Sequence, residues 1–90
     1  MITKEVKITN PSGLHARPAS DFVKKSGSFK SRITIKKVGE GERSVNAKSI
    51  VMILSLGLVC GTTVEITADG EDEENALTEL VELIESGFGE

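Results

Sequence analysis

The chain contains one histidine, His15, in the segment GLHARPA at residues 13–19. Imidazole changes its charge near neutral pH, so part of it is neutral and nucleophilic at cellular pH. A nearby helix N-terminus favours that neutral form, and a histidine nitrogen can carry a covalent intermediate. His15 is therefore a candidate phosphoryl acceptor. The alternative for a lone histidine is an ordinary surface or hydrogen-bonded side chain.

The residues directly after His15 indicate an anion-binding site. Turn-forming residues precede it, and a helix is expected to start at about His15. The N–H groups of Ala16 and Arg17 would then be unpaired at the positive end of the helix dipole. Arg17 can bind phosphate through two parallel hydrogen bonds, and Pro18 fits the first turn of a helix. These residues predict a phosphate or anion site, and leave covalent chemistry open.

Two serines have hydroxyls close to candidate chemistry. Ser49 follows a lysine and precedes an apolar run, a position typical of a helix N-cap. A phosphoserine there would also be stabilised by the free N–H groups of the helix. Ser12 lies in the turn before His15, where a serine commonly has only a turn-forming role.

The pattern of apolar residues predicts seven elements in the order β-α-β-β-α-β-α. Alternation predicts strands over residues 2–9, 32–38, 43–48 and 62–69. Helical spacing predicts helices over residues 16–26 and about 49–56, and a third from near residue 72 to Gly87, with Gly27 expected just past the end of the first. The prediction is one α+β domain over residues 1–90, with helices covering one face of a sheet.

Composition excludes several classes of protein. Among 90 residues, one cysteine cannot form an intrachain disulfide, and no cysteine cluster suggests a metal site. The longest apolar stretch, Ile50–Cys60, is too short to span a membrane. We therefore expect a cytoplasmic protein that is not inserted in a membrane and has no metal or cofactor. Cys60 is expected to be buried or half-buried.

Charge is distributed unevenly along the chain. Residues 1–48 contain all 11 Lys and Arg residues, whereas residues 49–90 contain most of the 14 Asp and Glu residues. A clustered basic region would attract acidic or phosphorylated partners. Nucleic acid is disfavoured because the chain has no Trp or Tyr and three Phe for base stacking.

The segment at residues 13–19 resembles the active-site signature of the HPr family, the histidine-containing phosphocarriers of the phosphoenolpyruvate-dependent sugar phosphotransferase system. Residues 46–50 (NAKSI), 55–57 (SLG) and 68–70 (ADG) extend the resemblance. It implies an open-faced β-sandwich, a four-stranded antiparallel sheet covered by three helices. It also implies that His15 accepts a phosphoryl group on Nδ1 from phospho-enzyme I and passes it to enzyme IIA domains. Arg17 would compensate the phosphate charge, and Ser12 would neighbour the site.

The same resemblance implies regulation at Ser49. The matching serine is phosphorylated by HPr kinase/phosphorylase, which weakens the interaction with the phosphoryl donor and recruits the catabolite control repressor. It also implies an apolar docking patch. The patch residues would be Ile50, Val51 and Leu54. Lys24, Lys25 and Lys48 either form a basic rim around this patch or are ordinary solvated lysines.

The chain departs from the family pattern at two places. It has Val51-Met52 where many relatives have Met-Gly, and the turn Val38–Glu42 looks longer than usual. A stand-alone catalyst is not expected, because the glycines near residue 40 lack the Lys and Ser/Thr of a nucleotide-binding loop. We expect a monomeric carrier. The alternatives are a regulatory binding module acting through Ser49, a specialised phosphorelay carrier, and an RNA-binding module.

Overall fold

The computed structural model describes residues 1–39 and 41–90. The elements follow the predicted order: β1 (Ile2–Lys7), α1 (Arg17–Gly27), β2 (Arg32–Lys37), β3 (Val45–Asn46), α2 (Ile50–Ser55), β4 (Thr63–Asp69), α3 (Glu73–Glu85) and a 3₁₀ turn (Gly87–Gly89). None of the helices in this part of the chain is long and apolar enough to cross a membrane.

The four strands form one antiparallel sheet in the order β1-β4-β2-β3. The central strand β4 pairs with both β1 and β2, so that Ala68 lies between Ile2 and Ile33. Every second residue of β4 is buried, beginning with Val64, because successive side chains of a strand point to opposite faces. The three helices cover the buried face. This is the open-faced sandwich that the sequence predicts.

The core lies between this sheet face and the apolar sides of the helices. Phe22 of α1, Ile53 of α2 and Leu80 of α3 are fully buried. These helix residues pack into the same cluster as the inward residues of the strands. The helical and alternating patterns therefore identified most of the core, since burying an apolar stripe is the main source of stability in a domain of this size. The exception is Ala16, which the predicted helix over residues 16–26 included but which is exposed and precedes α1.

Three local predictions were wrong. The strand predicted over residues 43–48 is only Val45–Asn46, because its ladder contains two residue pairs. Gly27 is the last residue of α1 rather than the residue after it, and Ser28 caps the helix through its N–H and hydroxyl, both bonded to Lys25 O. Cys60 is exposed rather than buried, and its Sγ lies 3.6 Å from Thr9 O at the surface. The predicted long turn over residues 38–42 includes Glu40, which lies outside the described residues.

Candidate functional site

The turn before α1 is held against the connection that follows α2. The Gly13 N–H donates to Asn10 O at 3.1 Å, and the Asn10 Nδ2 donates to Gly13 O at 2.9 Å. The next N–H, that of Leu14, donates to Leu58 O at 2.8 Å. Gly13 has φ +66°, and a Cβ there would lie 2.8 Å from the Cα of Val59. Only glycine allows this close approach, so Gly13 sets the position of the residues that follow it.

His15 is exposed at the end of this turn, while its neighbour Leu14 is 2% exposed and anchors the backbone in the core. His15 lines a small pocket of about 170 Å³. Its other lining residues are Ser12, Leu14, Leu54, Gly57, Leu58 and Val59. The structure therefore presents His15 on a fixed backbone, beside apolar side chains.

Ala16 connects His15 to the helix with an unusual backbone conformation. Its φ of 53° and ψ of −126° lie outside the region that alanine prefers, at a cost of about 1–3 kcal/mol. Helix α1 then begins at Arg17, with Pro18 in the first turn as predicted. Within residues 1–39 and 41–90, the N–H groups of Ala16 and Arg17 donate to no protein acceptor. These two donors remain available to an anion.

Arg17 is the cation next to these donors. Its side chain is 90% exposed, and its Nε lies 4.0 Å from the Oδ2 of Asp21 one helical turn away. An ion pair of this length and exposure contributes little energy. The guanidinium is therefore able to leave Asp21 for a phosphate.

Ser49 is the N-cap of α2, as the sequence predicts. Its backbone is extended, and its Oγ accepts a hydrogen bond from the Met52 N–H at 3.4 Å. The side chain is half-buried, whereas Ile50 and Val51 directly after it are exposed. A group attached to Ser49 Oγ would therefore lie beside exposed apolar residues.

Exposed apolar residues extend from the N-terminus of α2 to the pocket beside His15. Ile50, Val51 and Leu54 are 38%, 70% and 46% exposed, while Ile53 of the same helix is fully buried. Leu54 also lines the pocket beside His15, as does Val59, which is 63% exposed. We call Ile50, Val51, Leu54 and Val59 the apolar patch. Sequence reasoning missed Val59, because it lies in an irregular connection without periodicity.

The predicted basic rim is less uniform than the sequence suggested. Lys48 is half-buried, and its Nζ donates to Phe29 O at 2.8 Å. Lys25 pairs with Glu79 of α3 at 2.8 Å. Lys24 is exposed and borders a different concavity, between α1 and α3. Two of the three lysines therefore have structural partners.

Sequence reasoning also missed Glu90, which contacts the turn before His15. The Ser12 hydroxyl lies 2.6 Å from both carboxylate oxygens of Glu90, and the Ser12 N–H donates to Oε1 at 3.2 Å. The Asn10 Nδ2 donates to the same oxygen at 2.9 Å. These hydrogen bonds lower the pKa of the Glu90 carboxyl. No local sequence signal could have found a contact between residues so far apart in the chain.

Comparison with known proteins decides the family. The family described as "PTS HPr component phosphorylation site" matches residues 2–86. The chain is 46% identical to the phosphocarrier protein HPr of Haemophilus influenzae over 84 residues, which cover 93% of this chain and 95% of that protein. The chain belongs to the HPr family. Its members include the HPr of Borreliella burgdorferi, 49% identical over 86 residues and 96% of each chain.

Solved structures of the family have the same fold. The HPr-C-His structure from Thermoanaerobacter tengcongensis has a TM-score of 0.93 and 48% identity, and covers 100% of this chain and 98% of that one. An HPr dimer from the same organism has a TM-score of 0.76 and 49% identity over 94% of each chain. The HPr-like protein Crh of Halalkalibacterium halodurans is 40% identical over 94% of this chain and 98% of its own. This chain is thus a phosphocarrier-family protein that resembles both HPr and Crh.

Proposed function

We propose that this chain carries a phosphoryl group on His15, accepting it from phospho-enzyme I and passing it to enzyme IIA domains. The observation that supports this most directly is the exposed His15 beside the unpaired N–H groups of Ala16 and Arg17. A phosphoryl group on the imidazole would need positive partners, and these N–H groups, next to His15 in the chain, could supply them. The proposed partners imply a cytoplasmic protein.

The proposed step is a transfer between two nitrogen atoms. The lone pair of the neutral His15 Nδ1 attacks the phosphorus of the donor phosphohistidine. The new N–P bond forms as the donor's N–P bond breaks, and the donor nitrogen keeps that electron pair. Such a transfer needs mainly positioning and charge stabilisation. The arriving group carries about two negative charges, which Arg17 and the two N–H groups can neutralise.

The apolar patch is the proposed docking surface for both partners. Val51 and Val59 are the most exposed of its residues, at 70% and 63%. A small apolar centre surrounded by polar residues is typical of a transient interface. Because Leu54 and Val59 also border the His15 pocket, a partner covering the patch would also exclude water from the imidazole. Exclusion of water would protect the phosphoryl group from hydrolysis during transfer.

The decisive experiment is phosphorylation with enzyme I and phosphoenolpyruvate, followed by intact-mass spectrometry. We expect one phosphoryl group on the protein, lost in mild acid and absent from His15→Ala. Arg17→Ala should slow transfer without abolishing it. Arg43→Ala, which removes an exposed arginine from the segment before β3, should transfer at the wild-type rate. Acid-labile phosphorylation of His15→Ala would refute the assignment. No addition to the wild-type protein, with an enzyme I active on another HPr, would refute enzyme I as the donor.

We propose a second, regulatory site at Ser49. HPr kinase/phosphorylase would phosphorylate its hydroxyl, and the catabolite control repressor would bind the product. The N-terminus of α2 could stabilise the phosphate, while the added charge beside Ile50 and Val51 would weaken binding of enzyme I. Ser49→Asp should therefore raise the KM for enzyme I, and Ser49→Ala should not. Equal KM values for the two variants would contradict the proposal.

Similarity to Crh, described as the catabolite repression HPr of Bacillus subtilis, supports a second candidate function, a regulatory module without a role in sugar uptake. An assay that supplies one sample with both phospho-enzyme I and HPr kinase/phosphorylase distinguishes the two candidates. Phosphorylation of Ser49 by the kinase with no transfer from enzyme I would favour the regulatory module. Transfer onward from His15 to an enzyme IIA domain would favour the carrier. A specialised phosphorelay carrier would accept at His15 from a different donor.

The monomeric state stays a prediction, because an HPr dimer is among the similar structures. Analytical ultracentrifugation over a range of protein concentrations measures it directly. A single species at the mass of one chain, 9.6 kDa, is expected. A concentration-dependent species of twice that mass would contradict the prediction.

A further inference from the structure

The Glu90 carboxylate is an acceptor toward which three donors of the turn before His15 converge. The donors are the Ser12 hydroxyl, the Ser12 N–H and the Asn10 amide. A serine hydroxyl has a single proton, and at 2.6 Å from both carboxylate oxygens that proton is donated to Glu90. Asn10 is 2% exposed, so this end of the contact is fixed in the core.

Ser12 and His15 line the same small pocket. A serine hydroxyl released from its acceptor can rotate among the staggered positions of its side chain. The neutral imidazole then offers it one acceptor, the nitrogen that carries a lone pair. That lone pair is also the nucleophile for phosphoryl transfer. A hydroxyl bonded to it would have to leave before the reaction.

We propose that Glu90 is a positioning residue for phosphoryl acceptance, because it holds the Ser12 proton and thereby keeps the nucleophilic lone pair of His15 free. This inference rests on the proposed function of His15. The negative charge of Glu90 strengthens its hold on the hydroxyl, since hydrogen bonds to a carboxylate are shorter and stronger than those between neutral groups. The same bonds lower the pKa of the Glu90 carboxyl, so it stays ionised at neutral pH.

Three variants test the inference: Glu90→Ala, the double variant Glu90→Ala/Ser12→Ala, and the control Glu85→Ala. The control removes another exposed carboxylate from the end of α3. Glu90→Ala should accept the phosphoryl group from phospho-enzyme I about two- to tenfold more slowly. This factor corresponds to the free energy of one hydrogen bond, that of the Ser12 hydroxyl to the imidazole, which must break before the reaction. Removing Ser12 as well should restore the rate, because no hydroxyl remains to block the imidazole. Glu85→Ala should transfer at the wild-type rate.

A readout without enzyme I makes the test independent of the proposed function. In ¹⁵N NMR of the unphosphorylated proteins, a hydrogen bond to the lone pair shifts the imidazole nitrogen resonance. The shift should appear in Glu90→Ala and disappear in the double variant. Wild-type transfer by Glu90→Ala, or a double variant as slow as the single one, would overturn the inference. If the wild-type protein accepts nothing from enzyme I, the proposed function fails, and the NMR comparison still decides whether Glu90 controls the hydroxyl.

Discussion

Substituting Gly13 by alanine should strongly destabilise the fold and displace His15. Alanine at φ +66° carries a backbone cost of about 1–2 kcal/mol. Its Cβ would also overlap the carbonyl of Leu58 and lie 2.8 Å from the Cα of Val59. Both are backbone atoms that cannot rotate away, and overpacking of this kind costs about 1–3 kcal/mol more. The total, about 2–5 kcal/mol, is a large part of the 5–15 kcal/mol typical of a domain.

Gly57→Ala is the matched control for this prediction. Gly57 has φ +62°, but a Cβ there meets nothing within 4 Å, so its substitution reports the backbone cost alone. Urea unfolding should show Gly13→Ala to be less stable than Gly57→Ala by about 1–3 kcal/mol. Gly13→Ala should also accept the phosphoryl group more slowly. Relief of the overlap would stretch the hydrogen bond from the Leu14 N–H to Leu58 O and so displace the neighbouring His15. Equal stabilities for the two variants would refute the close packing of this turn.

Three further predictions concern stability. Ala16→Gly should stabilise the protein by about 0.5–2 kcal/mol in urea unfolding, because relief of the left-handed backbone exceeds the entropic cost of glycine; a loss of stability would show that Ala16 is unstrained. Ser49→Ala should lower the stability by about 0.5–2 kcal/mol through loss of the N-cap, and Ser49→Asp should lower it less; equal losses would exclude the cap. Hydrogen bonds from Ser31 and Lys30 lower the pKa of Asp72. The contribution of Asp72 to stability is therefore present above the ordinary pKa of an aspartate, and it is lost as the pH falls through the lowered pKa. Asp72→Asn should therefore flatten the acid side of the stability–pH curve, and an unchanged curve would contradict these bonds.

The structural features that were predicted correctly depend on patterns among residues that are close together in the chain. Order and type of the elements followed from apolar spacing, and the cap at Ser49 and the first-turn position of Pro18 followed from local backbone rules. The turn at Gly13 was also evident. The sequence did not show why this turn requires glycine, because the close approach of Leu58 and Val59 depends on contacts between distant segments.

The sequence identified several residues of the candidate site but not how they are arranged in space. Single-chain patterns cannot show that Ala16 has a positive φ, since alanine is a good helix former and gives no sign of strain. Nor could they show that Glu90 contacts Ser12, or that Val59 lies beside Leu54 of α2. The length of β3 was overestimated because alternation continues beyond the two residue pairs that form hydrogen bonds.

The strand order has a consequence for the way the chain folds as it is synthesised. β1 is the first of the four strands to be made, yet the strand that it pairs with, β4, is the last, with Ile2 opposite Ala68. At about 5–20 residues per second, the segment between them takes roughly 3–13 s to make. Throughout that time the first strand has an unpaired edge, the kind of surface that pairs with other chains. Three charged residues of this strand, Lys4, Glu5 and Lys7, make such pairing less favourable.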